Sequence, residues 1–157
     1  MERAAMSTQP DFREPRTRDE CLRVLSGLRR GELAAVSTYS QAIAKAGSAG
    51  VSLVQLRCGH EEAAAVLHKR ITELGGEVNE TGGIWEAFAR SVEGTAKVLG
   101  NDAATTALRA GEKHGVDGYR RALADQRVDA ESRHVLRGAL VRQQASLGAL
   151  EGLVRVQ

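Results

Sequence analysis

The stretch Leu28–Glu32 reads LRRGE, and the stretch Leu108–Glu112 in the second half of the chain reads LRAGE. Each copy is followed by a tyrosine seven residues after its glutamate, namely Tyr39 and Tyr119. After two intervening residues the chain continues as AIA in the first copy and ALA in the second. Residues seven apart lie two turns apart on one face of a helix. The sequence therefore predicts an internal repeat of two helices that each present a Glu and a Tyr on the same face.

The composition favours closely packed helices. A chain of 157 residues is long enough for one domain with a proper core, and 42% of it is hydrophobic while only 3% is aromatic. Alanine, leucine and valine must therefore fill the interior. The two prolines, Pro10 and Pro15, both lie near the start, so no later proline breaks a helix. Alternation of β-branched residues is scarce, and we predict an all-α fold.

Charge and cysteine content exclude several classes of partner and location. The 22 basic and 20 acidic residues give a formal net charge of +2, which favours neither a nucleic acid nor an anionic membrane as partner. No apolar run reaches the roughly 18 residues of a membrane span, and the start of the chain lacks an apolar signal core. Cys21 and Cys58 are isolated and form no CxxC pair. We expect a reduced, cytoplasmic protein.

Helical periodicity divides the chain into a tail and a helical domain. Residues 1–17 are polar and carry both prolines, so we predict a mobile tail, followed by a bundle domain over 18–157. Long amphipathic helices are predicted at about 18–45, 51–74, 102–125 and 130–154, with a shorter one at 84–99. Gly75 and Gly76 are expected to end the second helix. Two hairpins joined by a crossover segment that contains the short fifth helix describe a four-helix bundle.

Glu32 and Glu112 fall on inward stripes of leucine and alanine. A buried carboxylate is costly unless it is paired, protonated or bound to a metal. Taken singly, each glutamate is expected to bond a tyrosine hydroxyl or to lie at the surface after a small helix rotation. Because the same residue recurs in both halves, the repeat favours two carboxylates that face each other across the core.

This pattern resembles the ferritin-like superfamily. In that superfamily the first and third helices each give a Glu, often with a Tyr seven residues later, and the second and fourth each give a Glu-x-x-His. More narrowly, residues 18–155 are similar to an uncharacterised ferritin-like family labelled as a domain of unknown function. The supporting phrases are LGG at 74–76, GIWEAF at 83–88 and GEKHG at 111–115. The resemblance implies a ferritin-like bundle with its ligand positions at the centre.

The second element of the ferritin-like pattern is missing, because the chain contains no Glu-x-x-His. On the second helix the nearest match is His60 with Ala63, beside Glu61. On the fourth helix Gln143 and Ser146 lie at the corresponding height along the bundle, and neither is a good iron ligand. His60 and Gln143 are therefore treated as equivalent positions.

The ligand count leaves three interpretations open. The resemblance implies a di-iron centre with four carboxylates and two imidazoles, whereas the chain offers Glu32, His60 and Glu112, together with Glu61 or Glu62. Such a set suits one metal ion better than two. The third interpretation is a metal-free polar network.

In the metal-free interpretation, His60 and Gln143 link the two carboxylates, while Tyr39 and Tyr119 are core residues with bonded hydroxyls. We then expect a non-catalytic structural or interaction module without a cofactor, with a homodimer possible and the protein partner unspecified. The alternative is a metal-binding protein that uses iron or manganese in oxidative or metal-handling chemistry. No nucleophile triad, phosphate-binding glycine loop or zinc ribbon is present.

Overall fold

Four α-helices make up nearly all of the described chain. The computed structural model describes residues 15–46, 50–78 and 101–155. Its helices are α1 (Pro15–Ala46), α2 (Gly50–Glu73), α3 (Asn101–Ala124) and α4 (Ala130–Arg155). Over these ranges there is no strand, which confirms the all-α class. The predicted short helix at 84–99 and most of the predicted tail lie outside the described residues.

The helix ends follow local chemistry. α1 begins at Pro15, earlier than the predicted start near residue 18. Proline suits the first turn of a helix, because its missing N–H would have no helical acceptor there and its fixed φ is already helical. The predicted boundary was wrong because it assigned Pro15 to the tail, although proline is also favourable at the start of a helix.

The predicted glycine stop after α2 is confirmed. Gly75 has a φ of 73°, a left-handed conformation that favours glycine. Its N–H donates to the carbonyl of Thr72 at 2.8 Å, and the N–H of Gly76 donates to the carbonyl of Ile71 at 2.9 Å. These two bonds form a Schellman motif, which satisfies carbonyls that the helix end leaves without partners.

The buried residues show how the helices run relative to one another. The first core group comprises Cys21, Leu25, Leu67, Ile71, Tyr119, Ala122, Val128, Leu136 and Ala139. The second core group comprises Tyr39, Leu56, Leu108 and Leu150. The start of α1 thus packs with the end of α2, the end of α3 and the start of α4. It follows that α1 is antiparallel to both α2 and α3, and that α4 is antiparallel to α3.

The described ends of α2 and α3 lie as a crossover topology requires. Ile71, near the end of α2, belongs to the first core group, and Leu108, near the start of α3, belongs to the second. The last described residues before the long connection and the first described ones after it therefore lie at opposite ends of the bundle. Two antiparallel hairpins in this relation are the arrangement of a four-helix bundle with one long connection.

Each helix buries one face and exposes the other. On α1 the buried positions include Cys21, Leu25, Glu32 and Tyr39, at spacings that keep one face inward. Charged residues occupy the outer faces of all four helices. None of the described helices has both the length and the apolar character that a bilayer crossing needs.

Candidate functional site

Six polar side chains from all four helices meet at the centre of the bundle. This central cluster consists of Glu32 and Tyr39 from α1, His60 from α2, Glu112 and Tyr119 from α3, and Gln143 from α4. None of the six residues is more than 6% exposed. The cluster joins the two halves of the interior, because Tyr39 packs in the second core group and Tyr119 in the first.

His60 connects the two repeated glutamates. Its Nδ1 lies 2.6 Å from Oε2 of Glu32, and its Nε2 lies 3.0 Å from Oε1 of Glu112. Both ring nitrogens face carboxylate oxygens, so both act as donors in a protonated imidazole. Burial alone would lower the pKa of His60, but the hydrogen bonds and negative charges of Glu112 and Glu32 raise that pKa to about 9. The ring is therefore a buried cation between two acids at neutral pH.

The two tyrosines exchange partners between the repeats. Tyr39 on α1 donates its hydroxyl to Oε1 of Glu112 on α3, and Tyr119 on α3 donates to Oε1 of Glu32 on α1. This crossing follows from the antiparallel packing of α1 and α3, which brings the tyrosine of each copy beside the glutamate of the other. Burial, reinforced by the charge of the accepting glutamate, raises the pKa of both phenols far above its usual range. Both hydroxyls therefore remain protonated donors.

Gln143 completes the cluster from α4. Its Nε2 donates to Oε2 of Glu112 at 2.6 Å. Gly115 makes room for the amide, since a Cβ at that position would lie 2.5 Å from Nε2 of Gln143. Gly115 is the last residue of the GEKHG phrase, so the glycine itself is visible in the sequence. Only the tertiary packing shows why a side chain is not accommodated there.

The donors that bond the two acids are other members of the central cluster. Glu32 accepts from His60 and Tyr119, one donor at each oxygen. Glu112 accepts from Tyr39 and His60 at Oε1 and from Gln143 at Oε2. All four carboxylate oxygens thus have donors, as buried charged groups require.

The structure does not bring Glu61 into the central cluster, although the sequence placed it among the candidate ligands. Successive helical residues point about 100° apart, so Glu61 turns outward when His60 turns inward. Its side chain is 47% exposed, and Oε1 lies 3.5 Å from Nε of Arg57. Glu62 is also exposed, with Oε2 3.9 Å from Nη1 of Arg142 on α4. Both carboxylates face the surface.

The remaining histidines and the neighbours of His60 and Gln143 add no ligand atoms. His68 and His134 are exposed, and so is His114, although it lines a cavity described below. Ala63 is buried and has no donor atom, which leaves His60 without a second ligand on the inner face of α2.

A di-iron centre does not fit these residues. In a Glu-x-x-His motif the acid precedes the imidazole by three residues, and the corresponding positions here are Arg57 before His60 and Leu140 before Gln143. The lone imidazole of the cluster has both nitrogens directed at carboxylates, so no nitrogen lone pair is free for a metal. Within the described parts of the chain, no group of three or more His, Cys, Asp or Glu side chains has an arrangement that could hold a metal ion.

A cavity of about 340 Å³ lies between α1 and α3 and reaches the central cluster. Its walls are made largely of small residues from the two helices, among them Gly27, Gly31, Ala35, Gly111, Gly115 and Gly118. All six members of the central cluster also line it. The buried acids are therefore adjacent to space that a small molecule can occupy.

A second buried polar group, the end cluster, was not anticipated from the sequence. It consists of Cys21, Arg70, Asp129 and Ser132, which join α1, α2 and α4. Oδ1 of Asp129 accepts from the N–H of Ser132 and from Nη2 of Arg70, both at 2.8 Å. The Ser132 hydroxyl accepts from Nε of Arg70 at 2.9 Å and donates to Oδ2 of Asp129 at 2.5 Å. The Cys21 thiol donates to Oδ2 of Asp129 at 3.5 Å.

Part of the end cluster had a sequence signal. An aspartate directly before a helical pattern is a preferred N-cap, and Asp129 has that position before α4. Its contact with Arg70 joins residues far apart in the chain, and no local pattern indicates it.

Comparison with known proteins gives no relative for this arrangement. No protein-family model, no curated protein and no solved structure matches the chain.

Proposed function

We propose that this protein is a ferritin-like four-helix bundle that works without a metal ion, as a non-catalytic structural or interaction module. Two antiparallel hairpins with a crossover relation support the ferritin-like part of the proposal. The matched Glu–Tyr pairs on α1 and α3 support it further, because they occupy the positions that the resemblance assigns to the first and third helices.

The carrying observation is that every atom of His60, Glu32 and Glu112 that could bind a metal ion already has a hydrogen-bond partner. Both nitrogens of His60 and all four oxygens of Glu32 and Glu112 have partners inside the cluster. A metal ion would have to displace several of these partners at once. A buried network whose charged groups are all hydrogen-bonded needs no metal ion for its stability. A metal site differs from it, because several ligand lone pairs there point at one position.

The network also argues against acid–base or nucleophilic catalysis at the cluster. A general base needs a lone pair that can reach a substrate proton, and a nucleophile needs activation by a lowered pKa. Here the phenols of Tyr39 and Tyr119 have raised pKa values, and His60 carries a proton on each nitrogen. These groups hydrogen-bond one another and are not poised to take a proton from a substrate or to attack it.

The network instead fixes how the helices align. Every helix contributes at least one member, so sliding any helix by one turn would separate a buried charge or amide from its partner. Removing the partner of a buried charge is strongly unfavourable, and buried polar groups can therefore select one register among several apolar packings. We propose this alignment as the role of the cluster.

Metal analysis tests the proposal. Purified protein is incubated with iron(II) or manganese(II), freed of unbound metal, and analysed for metal per chain, alongside a Glu32→Ala, Glu112→Ala double variant. We expect substoichiometric metal in both. Stoichiometric metal in the wild type that the double variant loses would overturn the proposal. A Glu32→Gln, Glu112→Gln variant, checked for helicity, replaces the alanine variant if that one does not fold.

The second candidate function is a site for one iron or manganese ion at Glu32, His60 and Glu112. Its supporting observation is that His60 contacts both glutamates in the core, and that all three side chains are of metal-ligand type. The metal analysis decides between the two candidates, because the second requires stoichiometric uptake.

A further inference from the structure

The cavity between α1 and α3 has the character of a small-molecule site. Its volume of about 340 Å³ lies at the lower end of the range of about 300 to 1,000 Å³ that ligand pockets span. Small and apolar residues form most of its walls, the buried polar groups belong to the central cluster, and a few charged residues such as Arg23 and Arg121 lie at its exposed side. Such a combination of apolar walls with a few polar groups is typical of ligand pockets.

Glycine keeps this cavity open. Gly111 lines the cavity, and a Cβ built on it would meet no atom within 4 Å. At Gly27, on the opposite wall, the nearest atom to an added Cβ is 3.9 Å away. Both glycines therefore border open space at the cavity wall.

The carboxylates at the cavity retain capacity to accept hydrogen bonds. Glu32 accepts two hydrogen bonds and Glu112 accepts three, while two ionised carboxylates offer about eight lone-pair sites. About three sites therefore remain. An alkylammonium group has three N–H donors and no acceptor, so its hydrogen-bonding needs match what the two glutamates leave.

The charge at the end of the cavity favours a cation. Among the described side chains that hydrogen-bond Glu32 and Glu112, His60 alone can carry a positive charge, since the others are two phenols and an amide. The cationic side chains Arg23 and Arg121 also line the cavity, but they are exposed and belong to its outer side. Two acids thus face a single cationic partner in a buried setting, where charge is poorly screened.

We propose that the cavity between α1 and α3 binds a small aliphatic amine, with its chain along the glycine-rich walls and its ammonium group at Glu32 and Glu112. This inference rests on the proposed function, because a metal ion at the central cluster would use the same oxygens. It assigns the interaction module a ligand class that composition and motifs do not indicate.

A matched ligand series tests the charge and the chain separately. Hexylamine, hexanol and hexanoate share one hydrocarbon chain and differ in the head group. Binding is measured by isothermal titration calorimetry and by the shift of the thermal unfolding midpoint at pH 7. We expect saturable binding of hexylamine, at least tenfold tighter than that of hexanol, and no measurable binding of hexanoate.

Each other outcome of the series overturns the proposal. Equal binding of hexylamine and hexanol would mean that only the apolar walls act. Preference for hexanoate would mean that Arg23 and Arg121, which line the cavity from its exposed side, select an anion. Absence of binding by all three would mean that the cavity takes no small aliphatic molecule.

A pair of glycine variants locates the site. Gly111→Leu places a side chain into the cavity, and Gly138→Leu places the same side chain on the exposed face of α4, where an added Cβ also meets no atom within 4 Å. Both replacements remove a glycine from a helix, which favours folding. We expect Gly111→Leu to lose at least nine-tenths of the hexylamine affinity and Gly138→Leu to retain it. Equal affinity in the two variants would overturn the location.

Metal content measured on the same samples separates the two possible failures. Stoichiometric metal overturns the proposed function. Metal-free protein that does not bind hexylamine overturns only the amine site and leaves the metal-free network in place.

Discussion

The central cluster and the end cluster both bury acids, but they stabilise those acids in different ways. In the end cluster, Asp129 caps α4 with its carboxylate and receives a second bond from the Arg70 guanidinium. In the central cluster, Glu32 and Glu112 lie within the span of their helices, where no backbone N–H is free to bond them. Their donors are side chains alone, namely the two tyrosines of the repeat, His60 of α2 and Gln143 of α4.

The difference indicates which buried acids need a functional explanation. A helix needs a cap, and an aspartate at its first turn contributes stability by itself, so the end cluster is accounted for by the fold. A leucine could pack at the position of Glu32 without a network, and replacing buried ion pairs by apolar residues is often neutral or stabilising. The central cluster thus goes beyond what the bundle needs for stability.

The largest expected effect comes from removing the cation of the central cluster. His60→Ala leaves two buried carboxylates without their shared positive partner, and we expect the free energy of unfolding to fall by about 3 to 5 kcal/mol. Urea unfolding followed by circular dichroism measures the loss. His134→Ala, at an exposed position of α4, serves as the matched control and should change stability by less than about 0.5 kcal/mol. A loss below about 1 kcal/mol for His60→Ala would show that the two acids do not depend on the imidazolium.

The pH dependence of stability is expected to separate the clusters. His60 has a pKa of about 9 in the folded protein against 6.5 for an unperturbed histidine. Its contribution is therefore complete below pH 6.5 and is lost as the pH rises through 9, on the order of 3 kcal/mol in all. At Asp129, burial opposes ionisation, but the hydrogen bonds of Ser132 and the charge of Arg70 lower the pKa. Its contribution is present above pH 3.8 and is lost as the pH falls.

Urea unfolding between pH 3 and pH 10 measures both the loss of stability at high pH and the loss at low pH. Stability in the wild type should decline on the alkaline side, and this decline should be absent in His60→Gln. Asp129→Asn should reduce the loss of stability at low pH and leave the loss at high pH unchanged. An alkaline decline that persists in His60→Gln would assign it to other groups and would remove the distinction between the clusters.

The smallest expected effect comes from the cap of α4. Asp129→Ala removes the bonds to Ser132 and Arg70, and we expect a loss of about 2 kcal/mol, since capping residues contribute about 0.5 to 2 kcal/mol and charged hydrogen bonds add to this. Asp129→Asn keeps the side-chain oxygen that caps the helix and should cost less. Thermal and urea unfolding of the two variants give the comparison. Equal losses would mean that the charge, and not the cap, dominates the end cluster.

Much of the fold could be predicted from periodicity and from helix-end signals. The spacing of apolar residues gave four long helices close to their observed bounds, and Gly75 ends α2 as expected. Pro15 was misplaced because a proline near a chain start is typical of both a tail and a first helical turn. The short helix predicted at 84–99 lies outside the described residues.

The members of the central cluster could be listed from the sequence, but their bonding could not. The repeat singles out Glu32, Tyr39, Glu112 and Tyr119, because identical spacing in two halves is visible without coordinates. Which tyrosine meets which acid depends on whether α1 and α3 run parallel or antiparallel, and that is a property of the crossover. Glu61 was included because adjacency in sequence to His60 was given more weight than the 100° turn between them.

The exchange of hydroxyls between Tyr39 and Tyr119 has a consequence for how the molecule is held together. Each hairpin lacks the phenol that its own glutamate bonds and supplies the one that the other hairpin lacks. A hairpin that separated would expose an acid that has lost the phenol bonded to it. The two hairpins thus depend on each other, and they should unfold as one cooperative unit.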